Sequence, residues 1–126
     1  YMINKILVVD DNQEILYMMG QKLADKGYII NILQECPQVL SKARVFRPDC
    51  ILMDIVLPDI DGAEVVRLLQ QDPELKSVKV LFISGIVAQE NDSTPFVRVG
   101  DIRYPAIAKP FTVQELIARI MTLADS

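Results

Sequence analysis

The chain has 126 residues, 51% of them hydrophobic and 24% charged, a balance that suits one self-sufficient globular domain over residues 1–126 and excludes a disordered chain. Seventeen acidic against thirteen basic residues give a net charge of -4, without the basic stripe of a nucleic-acid binder. No apolar run is long enough to span a bilayer, and only four apolar residues separate Lys5 from Asp10 where a leader would need more, so a cytoplasmic domain is expected.

The first predicted element is Lys5-Ile-Leu-Val-Val9, a short continuous apolar run of the kind that forms a strand covered on both faces. Ile15, Leu16, Met19 and Leu23 then share one helix face, and Gly27 is a stop signal. Tyr28–Leu33 reads as a second strand. Val39, Leu40, Ala43 and Phe46 mark a second helix, with Pro37 in its first turn. Cys50–Met53 is a third strand, in which Cys50 reads as a small buried hydrophobe; Cys36 precedes Pro37 in a turn, and no disulfide is expected. Val65, Val66 and Leu69 form a third helical stripe that Pro73 ends, and Val78–Ile83 is a fourth strand. The stretch 89–94 is polar and aperiodic. Beyond it, Thr94, Pro95 and Gly100 have the punctuation of a short fourth helix, although a loop fits equally well. Ala106–Ala108 is the last strand. Val113, Leu116, Ile117, Ile120 and Met121 make the last helical stripe, opened by Thr112 and Glu115 at capping-box spacing.

Alternating strands and helices imply right-handed crossovers and an open parallel sheet with helices on both faces. Sites in such sheets lie outside the carboxyl ends of the strands. Those ends carry Asp10-Asp11, Asp54, Ser84-Gly85 and Lys109-Pro110, which should therefore meet on one edge. Carboxylates about 4 Å apart repel by roughly 4 kcal/mol per pair at an effective dielectric near 20, so such a cluster needs cations. Lys109 supplies one, and an all-oxygen site suits Mg²⁺. Carboxylate, metal, lysine and hydroxyl are the parts of a phosphoryl-transfer site, with an aspartate able to act as nucleophile. Each residue also has a plainer reading. Asp11 or Asn12 can cap the first helix, Asp54 can be a turn residue, Ser84-Gly85 an ordinary turn and Lys109 a surface lysine. The absence of histidine excludes Ser-His and Cys-His nucleophiles and most zinc sites.

Ile6-Leu-Val-Val-Asp-Asp11, Met53-Asp-Ile-Val-Leu-Pro-Asp-Ile-Asp-Gly62, Ser84 and Lys109-Pro-Phe111 make the chain resemble a response-regulator receiver domain of two-component signalling, from Ile6 to Leu123. The resemblance implies a flavodoxin-like, doubly wound five-stranded parallel sheet in the order 2-1-3-4-5. It implies that Asp54 accepts a phosphoryl group from a histidine kinase or phosphotransfer protein. Asp10, Asp11, Asp54 and the Val56 carbonyl would hold Mg²⁺, with Asp10 acting mostly through water. Lys109 and Ser84 would contact the phosphoryl oxygens, and Lys109-Pro110 would be cis. The face around strand four, helix four and strand five would then switch, signalling to an output domain or partner and allowing a homodimer on phosphorylation. Such a domain catalyses only its own phosphorylation and dephosphorylation and is not otherwise an enzyme.

Two features depart from the family pattern. Ala106 stands where relatives carry an aromatic switch residue, with Tyr104 two positions earlier, and the stretch from Ser84 to Lys109 is long. Val56 and Ile86 occupy positions that tune acyl-phosphate hydrolysis in relatives; both are apolar, so slow self-dephosphorylation is expected. Two other functions compete. A haloacid-dehalogenase-like phosphatase would need an acid at Val56, and a phosphorylation-independent interaction module would have no use for the intact acids and Lys109. A stand-alone regulator and a part of a larger regulator or kinase are both compatible with the sequence.

Overall fold

The computed structural model describes residues 2–35, 38–54, 62–84 and 95–124. Its elements run β1 (Lys5–Val9), α1 (Gln13–Asp25), β2 (Ile29–Leu33), α2 (Val39–Phe46), β3 (Cys50–Asp54), α3 (Gly62–Gln71), β4 (Lys79–Ser84), β5 (Phe96–Val99), β6 (Ile102–Ala108) and α4 (Val113–Ala124). The strands form one sheet in the order β2-β1-β3-β4-β6-β5. Its first five members are parallel neighbours, as the expected 2-1-3-4-5 order requires, with β6 in the fifth place.

The continuous apolar runs form strands because both faces are covered. On one face α1 and α4 bury Leu16, Met19, Leu23, Leu116, Ile120 and Leu123 against Ile6, Val8, Leu52 and Ile83. On the other, α2 and α3 pack Val39, Ala43, Val65, Val66 and Leu69 against Val9, Ile51, Met53 and Phe82. The α4 stripe differs from expectation at one place: Met121 is exposed and Leu123 takes the inward position, one helical turn after Ile120. Local signals behave as read. Asn12 caps α1 by accepting from the Ile15 N–H at 3.1 Å, and Thr112 Oγ1 accepts from the Glu115 N–H at 3.1 Å. Gly27, at φ 100°, supplies the left-handed residue after α1. Cys50 is a free buried thiol, and burial pushes its pKa up to about 12, which makes it unreactive at neutral pH. Cys36, Pro37 and Thr94 lie outside the described residues.

The five expected parallel strands are present, but neither reading of the stretch after Thr94, short helix or loop, describes residues 96–99, which add a strand to the sheet. Phe96–Val99 is a sixth strand, antiparallel to β6, with Val97 opposite Tyr104 and Val99 opposite Ile102. The two-residue link Gly100-Asp101 has its positive φ (62°) at glycine, as a tight hairpin turn requires. Val97 and Val99 are buried while Arg98 is exposed, a period of two that fits a strand with one covered face.

Candidate functional site

Asp10 directly follows β1 and Asp54 is the last residue of β3, so the parallel register carries both to the same sheet edge. Asp10 is buried at 1% exposure and Asp54 at 7%, although both are charged residues. Lys109, just past β6, reaches them across the end of the intervening β4. Its Nζ donates to Asp54 Oδ2 at 3.2 Å and stands 3.7 Å from Asp10 Oδ2. The Lys109-Pro110 bond is cis, as the resemblance implies.

Asp11 completes the acid group. One carboxylate oxygen from each of Asp10, Asp11 and Asp54 lies within 4.8 Å of the others. Because Asn12 caps α1, Asp11 is not needed there, which removes its plainer reading. Asn12 also donates its own N–H to Asp10 Oδ1 at 2.9 Å, fixing the rotamer of that carboxylate. Asp10 Oδ2 is buried and lacks a hydrogen-bond partner among the described residues. Burial pushes the Asp10 carboxyl above the usual range; the Asn12 N–H and Lys109 oppose that shift, while the charges of Asp54 and Asp11 add to it. A buried, under-satisfied carboxylate oxygen beside two more acids fits a hard divalent cation such as Mg²⁺, which takes oxygen donors and keeps part of its water shell.

Ser84 ends β4 opposite Ala108, which brings its backbone to the same edge; its side chain, Val56 and Ile86 lie outside what the structure describes. Ala106 is fully buried. Tyr104 packs on the same side of the sheet as Ala106, consistent with their spacing of two. Its ring meets Phe82 edge-on at 6.0 Å and 82°, and its hydroxyl accepts from Gln70 Nε2 of α3 at 2.7 Å. Gln70 escapes sequence reading because its partner is 34 positions away and no local pattern announces the pair.

Lys109 is a base within reach of both Asp10 and Asp54, so its removal takes away positive charge that offsets neighbouring carboxylates. Lys109→Met is expected to cost about 2 kcal/mol in metal-free buffer, below a fully buried pair because Lys109 is 31% exposed. Mg²⁺ should raise the melting temperature of this variant more than that of the parent, measured by differential scanning calorimetry.

Known proteins resemble the chain in sequence and fold. The family described as response regulator receiver domain matches residues 6–121. The alkaline phosphatase synthesis transcriptional regulatory protein PhoP of Bacillus subtilis is 31% identical over 119 residues, covering 94% of this chain and 48% of that protein. The polar-differentiation response regulator DivK of Brucella anthropi is 31% identical over 115 residues, covering 91% of each. The chain thus spans about half the length of PhoP but nearly all of DivK. Among solved structures, the Vibrio cholerae chemotaxis protein CheY4 superposes with a TM-score of 0.81 at 25% identity, covering 97% of this chain and 99% of that one. A sensor protein from Polaromonas sp. JS666 shares the fold, with a TM-score of 0.82 at 20% identity, covering 97% of this chain and 96% of that one. No helix among the described residues is long and apolar enough to cross a membrane. With its family sequence match, its parallel sheet and its acid–lysine edge, the chain belongs to the response regulator receiver domains of two-component signalling.

Proposed function

We propose that Asp54 is the phosphoacceptor of a Mg²⁺-dependent transfer from a phosphohistidine of a kinase or phosphotransfer protein. The observation that carries this reading is the Asp54 carboxylate 3.2 Å from Lys109 Nζ, inside a three-acid cluster. A carboxylate oxygen of Asp54 attacks phosphorus, the P–N bond to imidazole breaks, and the imidazole nitrogen keeps the electron pair. Lys109 is placed to offset charge on the transferring oxygens. Asp10, Asp11 and Asp54 would hold the metal, with the Val56 carbonyl as the further ligand that the family resemblance suggests. Bound Mg²⁺ supplies charge neutralisation at the phosphoryl oxygens. Asn12 keeps Asp10 oriented while this happens. Ser84 is the hydroxyl that bonds the modified Asp54 and begins the conformational response.

The chain acts on itself rather than on a diffusing substrate, so it is a switch more than an enzyme, and its output goes to a partner protein or attached domain. The deciding experiment is incubation with acetyl phosphate and Mg²⁺, read by intact-mass and peptide mass spectrometry. One phosphoryl group should appear on the peptide containing Asp54 and be lost when EDTA replaces Mg²⁺. No uptake would favour a receiver fold used purely as an interaction module. Val56 and Ile86 have no polar group with which to orient an attacking water. The phosphorylated form should therefore persist well beyond seconds, followed by its decay after acetyl phosphate is removed; loss within seconds would contradict that reading.

A further inference from the structure

At the sheet edge opposite Asp54, the amino-terminal halves of β4 and β6 do not pair. Their ladder begins at Phe82 opposite Ala106 and runs only to Ser84 opposite Ala108. The cause is in the sequence. The Ala106 N–H is directed to the Pro95 carbonyl on the β5 side, and strand amides alternate, so residue 105 is the one aimed at β4. That residue is proline and has no N–H to give. Between the unzipped halves, and roofed by the end of α4, lies a groove of about 670 Å³.

Four bases line this groove: Lys76, Lys79, Arg103 and Arg119; no acid does among the described residues. Val80 and Pro105 from the strands and Leu123 from α4 contribute apolar lining, and Ile102 at its rim is 48% exposed. Arg119 is partly buried and has no carboxylate partner among the described residues. Burial alone shifts its pKa, downwards, with no acid opposing.

We infer that this groove is a docking site for a short acidic segment of a partner protein, with carboxylates meeting Arg119 and Lys76 and an apolar side chain seated beside Ile102. Charge complementarity selects the occupant. A volume of 670 Å³ is that of a small-ligand or short-peptide site, not of an extended duplex track. The whole chain carries -4, which repels a long polyanion such as a nucleic acid. A short segment senses only the local bases, because the rest of the protein is screened beyond roughly 8–10 Å at physiological salt. The apolar residues in the lining favour a peptide over bare phosphate.

The test uses the unmodified chain and a fluorescein-labelled ten-residue peptide of alternating Glu and Leu pairs, with fluorescence anisotropy and backbone amide NMR. The peptide should bind, with shifts confined to 76–80, 102–105 and 119–123. Replacing its Glu residues by Gln should weaken binding by about tenfold or more. Arg119→Glu and Lys76→Glu should each do likewise at unchanged melting temperature, and Arg119→Lys should recover most of the affinity. Shifts elsewhere, equal affinity for the Gln peptide, indifference to Arg119→Glu, or equal competition by a single-stranded DNA of the same charge would each overturn the assignment.

Discussion

Asp54→Ala is expected to abolish phosphoryl uptake from acetyl phosphate, measured by intact-mass spectrometry beside the parent. The effect should be complete because, among the described residues, no other carboxylate is equivalently placed. Asp10 has one oxygen engaged by the Asn12 N–H and the other buried 3.7 Å from Lys109, and Asp11 is exposed on the loop before α1. The loss should be chemical rather than structural. Removing the Asp54 charge lowers the repulsion in the cluster and leaves Lys109 paired with Asp10. The variant should therefore melt at or above the parent temperature in metal-free buffer, while its Mg²⁺-dependent stabilisation shrinks. A folded Asp54→Ala variant that still acquires one phosphoryl group would overturn the assignment of the acceptor.

Phe82→Ala should be among the most damaging single substitutions for stability. Phe82 is fully buried near the middle of the sheet, opposite Met53 on one side and Ala106 on the other, and touches the Tyr104 ring edge-on. Deleting a buried ring costs about 3–5 kcal/mol, and the rigid strands on both sides limit collapse into the cavity. At roughly 4 °C per kcal/mol for a domain of this size, the melting temperature should fall by about 12–20 °C. Ala106 sharpens this expectation, since the small residue beside Phe82 cannot fill the space. A fall of only a few degrees in thermal denaturation would show that the neighbourhood of Tyr104 relaxes around the gap.

Asp10, Asp54 and Lys109 are legible in the sequence because each ends or follows an apolar run, and parallel topology maps strand ends onto one edge. Helix faces are legible for a similar reason: burial imposes a period, visible at Leu16, Met19 and Leu23. The hairpin β5–β6 is harder to read. Pro95 and Gly100 punctuate a short helix and a strand with its turn equally well, and four residues of strand offer only Val97 and Val99 as an alternating signal. Tertiary context decides it: those two valines complete the core over Phe82 and Ala106, on the face shared with α3. The Met121 and Leu123 exchange has a similar origin, because the end of α4 covers the unzipped strands rather than the sheet centre.

The β5 strand also determines how any movement can leave the site. A helix lying on a sheet is held by side chains and can roll by small increments. A strand stitched from Pro95–Ala106 through Val99–Ile102 has no such continuum, since its backbone bonds are either formed or broken. Gln70 adds a rivet from α3 to the same plate through Tyr104. Displacement at this margin therefore comes as travel of the whole plate or as outright unstitching, and slow amide exchange at Val97 and Val99 would be the signature of the former.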